Sequence, residues 1–178
     1  ELMGDEAREK IEEAYEGAER IRVISNEITH LSHGGDGGEL ETVSLKQVLD
    51  SAIRMAEPEI QHRATVLREY ATGDLYVRGS RTRVTQVFLN LIVNAAQAID
   101  PGDRAQNTIT VRARSTDRDR VCVEVQDTGP GISPQLLRRI FDPFVTTKPA
   151  GRGTGLGLSI CRRIVHSLEG TIELQSHP

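Results

Sequence analysis

Three groups of residues in this chain have types and spacings that could bind a nucleotide. Asn90 and Asn94 lie four residues apart in an apolar segment, Asp127 begins the sequence Asp-Thr-Gly-Pro-Gly-Ile, and a glycine-rich run extends over 151–158. Each group is weak evidence when it is taken alone. In this order and spacing, they predict a pocket for adenine, Mg²⁺ and a triphosphate.

The two asparagines share one face of a predicted helix, because side chains four positions apart lie one above the other. An amide on an apolar face costs free energy unless it has a hydrogen-bond partner. Its carbonyl oxygen can bind Mg²⁺, which prefers oxygen ligands and also contacts substrate phosphates. A hydrogen bond from Asn90 or Asn94 to a neighbouring loop is the alternative that these residues leave open.

Asp127 follows directly on a predicted strand over 121–126. A carboxylate at a strand end can accept a hydrogen bond from the exocyclic amine of adenine, whereas guanine presents a carbonyl oxygen there and would be rejected. Gly129 and Gly131 allow a tight turn and a close approach of the backbone to a ring. An ordinary Asp-Gly turn is the alternative interpretation.

The glycine-rich run favours a site for an anion, because successive backbone N–H groups lead into a helix N-terminus. Lys148 and Arg152 add positive charge, and the glycines predict a loop that becomes ordered around a ligand. The run is not a P-loop, since Gly-Lys-Ser/Thr is missing, and its spacing is not that of a dinucleotide-binding fingerprint. A flexible linker is the weaker alternative, because apolar helical residues follow at once.

The apolar pattern predicts the elements that must position these groups. Ser80 can cap a helix that reaches about Ile99 and carries both asparagines, and 154–168 predicts a second helix that begins inside the glycine-rich run. Alternation over 108–114 and 121–126, with a polar turn between, predicts a β-hairpin. Helices mixed with an antiparallel pair favour an α+β fold over a doubly wound parallel sheet.

Further elements are predicted from local signals. Ser44 and Gln47 form a capping-box pattern before a helix that Pro58 is expected to kink or end, unless this proline opens a new turn. Thr65–Tyr70 and 170–175 are predicted strands, and Ser133 followed by Pro134 predicts a short helix.

The N-terminal part of the chain predicts one long helix over about 6–31. Apolar and small residues recur there at spacings of three and four, which makes a seam that needs a partner helix. Packing of this helix on its own domain is the alternative. The glycines of 34–38 predict a flexible hinge and the main domain boundary.

Composition excludes some classes of function. The net charge is −4 and aromatic residues make up 3% of the 178 residues, so a nucleic-acid surface is not expected and the core must be mostly aliphatic. Cys122 and Cys161 are expected to be buried thiols, with a metal or disulfide role as the alternative. No membrane span or signal peptide is predicted, so we expect a cytoplasmic protein whose parent could be membrane-anchored.

Four motifs resemble those of the ATP-binding domain of bacterial two-component sensor histidine kinases. They are QVFLNLIVNAAQAI, DTGPGI, IFDPFVTTK and GRGTGLGLSI, which cover 86–160. The segment FDPFVTTKPAGRGTGLGLSI looks most like the nitrogen-regulation type of kinase. Residues 13–33 resemble the second helix of that family's dimerisation hairpin.

The resemblance implies a two-layer α/β sandwich of the GHKL ATPase type, in which helices cover a mixed sheet, preceded by one long N-terminal helix. Residues 1–33 would be an incomplete dimerisation hairpin, 34–38 the hinge and 39–178 the ATP-binding domain, lacking its last strand. The cofactors would be ATP and Mg²⁺, with Asn94 as the metal ligand, and Phe141 and Phe144 would anchor a mobile lid. The implied ATP-binding residues are Asn90, Asn94, Gln97, Asp127, Gly129, Gly131, Ile132, Phe144, Thr147, Lys148, Gly151, Arg152, Gly153, Thr154, Gly155, Leu156, Gly157 and Leu158.

Two departures from the family pattern matter. None of the 5 histidines lies in a phosphoacceptor box, so the acceptor histidine is expected outside this chain, on the missing first helix of the hairpin. Gln97 stands where many relatives carry Lys or Arg, which puts side-chain charge at that phosphate contact in doubt.

The predicted function is therefore that of the phosphoryl donor of a histidine kinase, which does not label itself when isolated. The implied partners are a response regulator receiver domain and a second copy of the parent protein, and no nucleic acid. A GHKL-type ATPase, an anti-sigma-factor-like serine kinase and a pseudokinase that only dimerises are the alternatives.

Overall fold

The computed structural model describes residues 40–102, 104–116, 120–148 and 153–176, together with Ala7, Arg8, Lys10, Ile11 and Gly17. Those five N-terminal residues are helical, and Ile11 is 69% exposed. The remainder of the predicted long helix and the glycine hinge at 34–38 lie outside the described residues.

Strands and helices alternate irregularly along the described chain. In order they are β1 (Glu41–Ser44), α1 (Leu45–Ile60), β2 (Thr65–Tyr70), β3 (Tyr76–Gly79), α2 (Arg81–Ala98), β4 (Thr108–Thr116), β5 (Arg120–Asp127), α3 (Pro134–Leu137) and α4 (Gly157–Ser167).

The main sheet is mixed and has the strand order β2-β4-β5. β2 pairs with β4 in parallel, and β4 pairs with β5 antiparallel, as the predicted hairpin requires. Ile109, Val111 and Ala113 of β4 point to one face and are almost fully buried. Helices cover this face, so the α+β fold with a mixed sheet under helices is confirmed.

A second, two-stranded sheet joins β1 to β3 antiparallel, from Glu41 opposite Gly79 to Ser44 opposite Tyr76. Sequence patterns did not predict this ribbon, because strands of four residues are too short to show a clear alternation. Val43 of β1 is nevertheless fully buried. The backbone N–H of Leu45 donates to the carbonyl of Leu75 at 2.9 Å, which joins the start of α1 to the ribbon.

The core lies between the sheet and the helices α1, α2 and α4. Its members are aliphatic residues of all these elements, and Phe88 is the one aromatic residue among the buried side chains of the described chain. The expectation of an aliphatic core is thus confirmed. Cys161 of α4 is also buried, as predicted, whereas Cys122 of β5 is only half-buried because it lies on the face of the sheet away from the helices.

Several local predictions can be checked against the element boundaries. α2 begins after Ser80, although the Ser80 hydroxyl makes no capping hydrogen bond. α3 begins after Ser133, whose hydroxyl accepts from the backbone N–H of Leu136 at 3.5 Å. α1 begins after Ser44, but this hydroxyl makes no capping hydrogen bond. α1 continues through Pro58 and ends two residues later at Ile60, so the helix ends close to the proline but not at it.

Two predictions at the C-terminal end need correction. α4 begins at Gly157 instead of 154. Residues 170–176 form no strand, although their exposure alternates as a strand's would. Alternating exposure shows only that one side of a segment packs against the core, as Ile172 does here. A strand also needs a hydrogen-bonded neighbouring strand.

Candidate nucleotide-binding site

Helix α2 forms the floor of the site. Ile92 and Ala96 are fully buried on the core side of this helix, whereas Asn90, Asn94 and Gln97 are half-buried. The Nδ2 atom of Asn90 donates to the backbone carbonyl of Gly157 at 3.4 Å, which ties the floor to the first turn of α4. Asn90 is therefore hydrogen-bonded to the first residue of helix α4 and not to a neighbouring loop.

Asn94 and Gln97 both contact Lys148, which lies in the loop between α3 and α4. The Nζ atom of Lys148 donates to Oδ1 of Asn94 at 3.3 Å and to Oε1 of Gln97. A positive charge thus lies on the carbonyl oxygen that the sequence assigned to a metal ion. The contact also brings together three residues that the sequence placed in the site on separate grounds.

Burial lowers the pKa of Lys148, and the carboxylate of Glu59 partly opposes this effect. The ammonium of Lys148 donates to the side chains of Asn94 and Gln97, which are neutral amides. Neutral amides do not compensate its half-buried charge as a paired carboxylate would. An incoming polyanion would supply the missing negative charge. The electrostatics at this end of the site therefore favour a phosphate group.

The stem of Lys148 is held as well as its charged end. Its backbone N–H donates to Oγ1 of Thr146 at 3.1 Å. A Cβ atom on Gly153 would lie 2.9 Å from Cδ of Lys148 and 2.7 Å from Oγ1 of Thr146. Only glycine leaves room here for the lysine stem to cross the loop.

Phe144 and Gly155 close the two sides of this loop through their backbones. The N–H of Phe144 donates to the carbonyl of Gly155 at 3.0 Å, and both residues have positive φ angles. The Phe144 side chain is 70% exposed, so its contribution to anchoring the loop comes from its backbone. Phe141 is half-buried beneath the guanidinium of Arg162, which lies 6.0 Å from the ring centroid.

Asp127 is the last residue of β5 and lies opposite the buried Ile109 of β4. Directly opposed residues share a face of the sheet, so Asp127 points to the side that the helices cover. Its Oδ1 atom accepts from the backbone N–H of Gly129 at 2.9 Å. A Cβ atom on Gly129 would lie 3.2 Å from Ala98 of α2, which shows how closely the turn approaches the floor.

The remaining predicted residues surround these contacts. Gly131 has a φ of 78°, and the N–H of Ile132 donates to Oγ of Ser176 at 2.7 Å. Oγ1 of Thr154 accepts from the N–H of the buried Leu156 at 3.3 Å, and Leu158 is half-buried. Thr147 is exposed, and Gly151 and Arg152 lie outside the described residues.

Sequence reasoning missed the contributions of Glu59, Thr146 and Ser176. Glu59 comes from α1 and Ser176 from the C-terminal segment, and neither lies in a recognisable motif. Thr146 is part of the IFDPFVTTK motif and lies two residues before Lys148, so the sequence could have indicated its contact with that lysine.

The donor set at Asn94 fits a hard cation that keeps most of its water. Within the described ranges, no cluster of three His, Cys, Asp or Glu side chains could hold a metal ion. A single amide oxygen is enough for Mg²⁺ when water and the phosphates of a nucleotide supply its other ligands. The Lys148 ammonium on this oxygen shows that the position accepts positive charge.

Comparisons with known proteins give a matching family and several similar proteins. The sequence model of the family described as histidine kinase-, DNA gyrase B- and HSP90-like ATPase matches residues 79–178. The chain is 34% identical to sensor histidine kinase ZraS of Salmonella typhimurium over 97% of this chain and 36% of ZraS. It is 35% identical to the sensory histidine kinase/phosphatase NtrB of Rhizobium meliloti over 75% of this chain and 37% of NtrB.

Solved structures give the same result. The nucleotide-free catalytic domain of histidine kinase ThkA is 33% identical, with a TM-score of 0.61, over 72% of this chain and 81% of that domain. ThkA in complex with response regulator protein TrrA is 30% identical, with a TM-score of 0.67, over 86% of this chain and 42% of ThkA.

The chain spans little more than a third of the length of these two curated relatives, at 36% of ZraS and 37% of NtrB. In the part of the chain that the structure describes, no helix has the length and apolar character needed to cross a membrane.

Proposed function

Because this chain belongs to the family of histidine kinase-, DNA gyrase B- and HSP90-like ATPases, as the ATP-binding catalytic domain of a sensor histidine kinase, we propose that it donates the γ-phosphoryl group of Mg²⁺-bound ATP to a histidine outside the chain. The observation that carries the proposal is the contact of Lys148 with Asn94 and Gln97. It concentrates positive charge and amide oxygens on one part of α2, and the turn that follows Asp127 approaches Ala98 near the end of the same helix.

The adenine end is formed by Asp127 and the turn after it. One carboxylate oxygen is used by the N–H of Gly129, and the other is assigned to the exocyclic amine of adenine. A Cβ atom on Gly129 would lie 3.2 Å from Ala98, so glycine lets the turn beside Asp127 pack closely on α2. This arrangement selects adenine, because guanine would place a carbonyl oxygen against the carboxylate.

The phosphate end is formed by Asn94, Lys148 and the loop that leads into α4. Asn94 would hold Mg²⁺, and the metal, when bound, neutralises charge on the phosphates. Lys148 neutralises a further part of that charge, and the backbone N–H groups at the start of α4 contact phosphate oxygens. Positioning and charge neutralisation account for most of the catalysis of phosphoryl transfer, so no covalent nucleophile is required in this chain.

The acceptor and the partners lie beyond the chain. We assign residues 1–33 to the second helix of a dimerisation hairpin, 34–38 to a hinge and 39–178 to the ATP-binding domain. The first helix of the hairpin would carry the acceptor histidine and make the parent protein a dimer. A receiver domain would then take the phosphoryl group, in keeping with the complex of ThkA with response regulator protein TrrA.

The metal assignment has a direct test by calorimetry. We expect ATP to bind more tightly with Mg²⁺ than with EDTA, and Asn94→Leu to remove this difference. Asn90→Leu is the matched variant on the same helix face, and it should preserve the difference because Asn90 contacts Gly157. Equal loss of the Mg²⁺ effect in both variants would contradict the assignment of Asn94 as the ligand.

Transfer is tested with γ-labelled ATP. The chain alone should not label itself, and adding a peptide hairpin that carries the parent's acceptor helix should give phosphohistidine on that peptide. A phosphohistidine on this chain would show that the proposal is wrong to place the acceptor histidine outside it. Released phosphate without transfer, or phosphoserine on a partner, would favour the ATPase or the serine kinase alternative.

A further inference from the structure

Gln97 has a partner that its position on α2 does not suggest. Its Oε1 atom accepts from Nζ of Lys148, which lies 51 residues later in the chain. Oδ1 of Asn94, one turn earlier on α2, accepts from the same nitrogen at 3.3 Å. Two amide oxygens of one helix thus hold the charged end of a side chain that belongs to the α3–α4 loop.

We propose that Gln97 is a positioning residue that docks Lys148 over the phosphate end of the site. The proposal rests on the function proposed above, in which Lys148 contacts the triphosphate. If Asn94 held Mg²⁺, the amide of Gln97 would still hold the ammonium at the phosphate end of the site. A charge carried by the loop then acts at a fixed point on the helix.

The chemistry of the ammonium allows this arrangement. It has three N–H donors, of which Asn94 and Gln97 use two. A phosphate oxygen can accept from the third N–H. If the Asn94 oxygen bound a metal, the N–H that it now accepts would be available to a second phosphate oxygen. Gln97 can therefore hold Lys148 before and after the nucleotide binds.

Glutamine suits this role better than the residues closest to it in shape. A glutamate at position 97 would hold Lys148 more strongly, but its negative charge would repel the triphosphate. A methionine would leave the half-buried ammonium without one of its acceptors. A neutral acceptor holds the cation without cancelling the charge that the phosphates need.

The other contacts of Lys148 support a fixed position. Its backbone N–H donates to Thr146 at 3.1 Å, and its stem crosses Gly153 where a Cβ atom would come within 2.9 Å of it. The side chain is thus held at its root, along its stem and at its tip. Loss of Gln97 would release only the tip, which is the part that carries the charge.

The test compares the dissociation constants of ATP and ADP, because their ratio isolates the contribution of the γ-phosphate. Calorimetry at constant Mg²⁺ would be run on the wild type, Gln97→Met, Lys148→Met and the double variant. Each single change should lower the preference for ATP about tenfold, the size expected for a charge-assisted hydrogen bond. The double variant should be no worse than Lys148→Met alone, since both changes remove the same interaction.

A rescue variant separates positioning from a merely structural role. Gln97→Lys combined with Lys148→Met places an ammonium on the helix itself, and it should restore most of the lost preference for ATP. Thr85→Val, on the exposed side of α2, is the control and should leave the ratio unchanged. The affinity for ADP shows in each variant that the adenine end is still folded.

Two results would overturn the docking role. One is an unchanged ratio in Gln97→Met, and the other is an additive loss in the double variant. If the wild-type chain binds neither nucleotide, the proposed function itself fails, which is a different outcome from either of these.

Discussion

The floor of the site and the loop opposite it are built in different ways. Helix α2 carries polar side chains on one face and packs its other face into the core, where Ile92 is fully buried. The α3–α4 loop is held by a few isolated polar contacts and by the backbone hydrogen bond between Phe144 and Gly155. The core thus fixes half of the site whether or not ligand is present, whereas the other half depends on a few contacts that ligand can strengthen.

The largest expected effect concerns the stability of the floor. Ile92→Ala should lower the free energy of unfolding by about 2–5 kcal/mol, because it leaves a cavity beneath the asparagines. Phe144→Ala in the loop should change it by less than about 0.5 kcal/mol, since the ring is mostly exposed. Urea denaturation of both variants checks the contrast, and equal losses would show that the loop is as integral to the fold as α2.

The next effect concerns the adenine end. Asp127→Asn should weaken ATP binding by about 1.5–3 kcal/mol, because it removes a charged acceptor for the exocyclic amine. Calorimetry with ATP measures the change, and Asp74→Asn, an exposed aspartate outside the site, is the control. Unchanged affinity in the Asp127 variant would remove the adenine assignment.

A smaller effect is expected in the loop itself. Gly155→Ala combines a φ of 67° with a Cβ atom only 2.5 Å from the carbonyl carbon of Phe144, so the loop must shift. We expect ATP affinity to fall by about 1–2 kcal/mol through this backbone strain.

Gly73→Ala is the matched control for the loop variant. Gly73 also has a positive φ, of 110°, but open space surrounds its Cβ position. Its substitution should cost stability without weakening ATP binding. Similar ATP affinities in the two variants would mean that the loop geometry seen here is not the one that binds nucleotide.

The smallest effect concerns the two thiols and leaves the fold unchanged. Burial raises the pKa of Cys161 to about 12, against a weaker opposing hydrogen bond from Asn90, and its Sγ donates to the carbonyl of Val87 at 3.6 Å. A raised pKa keeps the thiol protonated at pH 8, so Cys161 should react with iodoacetamide much more slowly than Cys122 at this pH. Mass spectrometry after timed alkylation measures both rates, and comparable rates would show that the helix layer opens readily.

Much of the fold followed from local pattern. The hairpin of β4 and β5 and the start of α2 after Ser80 were predictable, because alternation and helical spacing depend on residues near in sequence. The β1–β3 ribbon was not predictable, since its strands pair across more than thirty intervening residues. The strand predicted at 170–175 was wrong for the related reason that a pattern cannot supply a partner strand.

The sequence by itself determined the family, through the order and spacing of Asn94, Asp127 and the glycines, and it placed these residues at element ends suited to binding. Only the tertiary structure decided which of them meet. Lys148 reaches Gln97 because the α3–α4 loop folds back over α2 across Gly153. That path depends on packing between residues far apart in the chain, where periodicity and motif spacing carry no information.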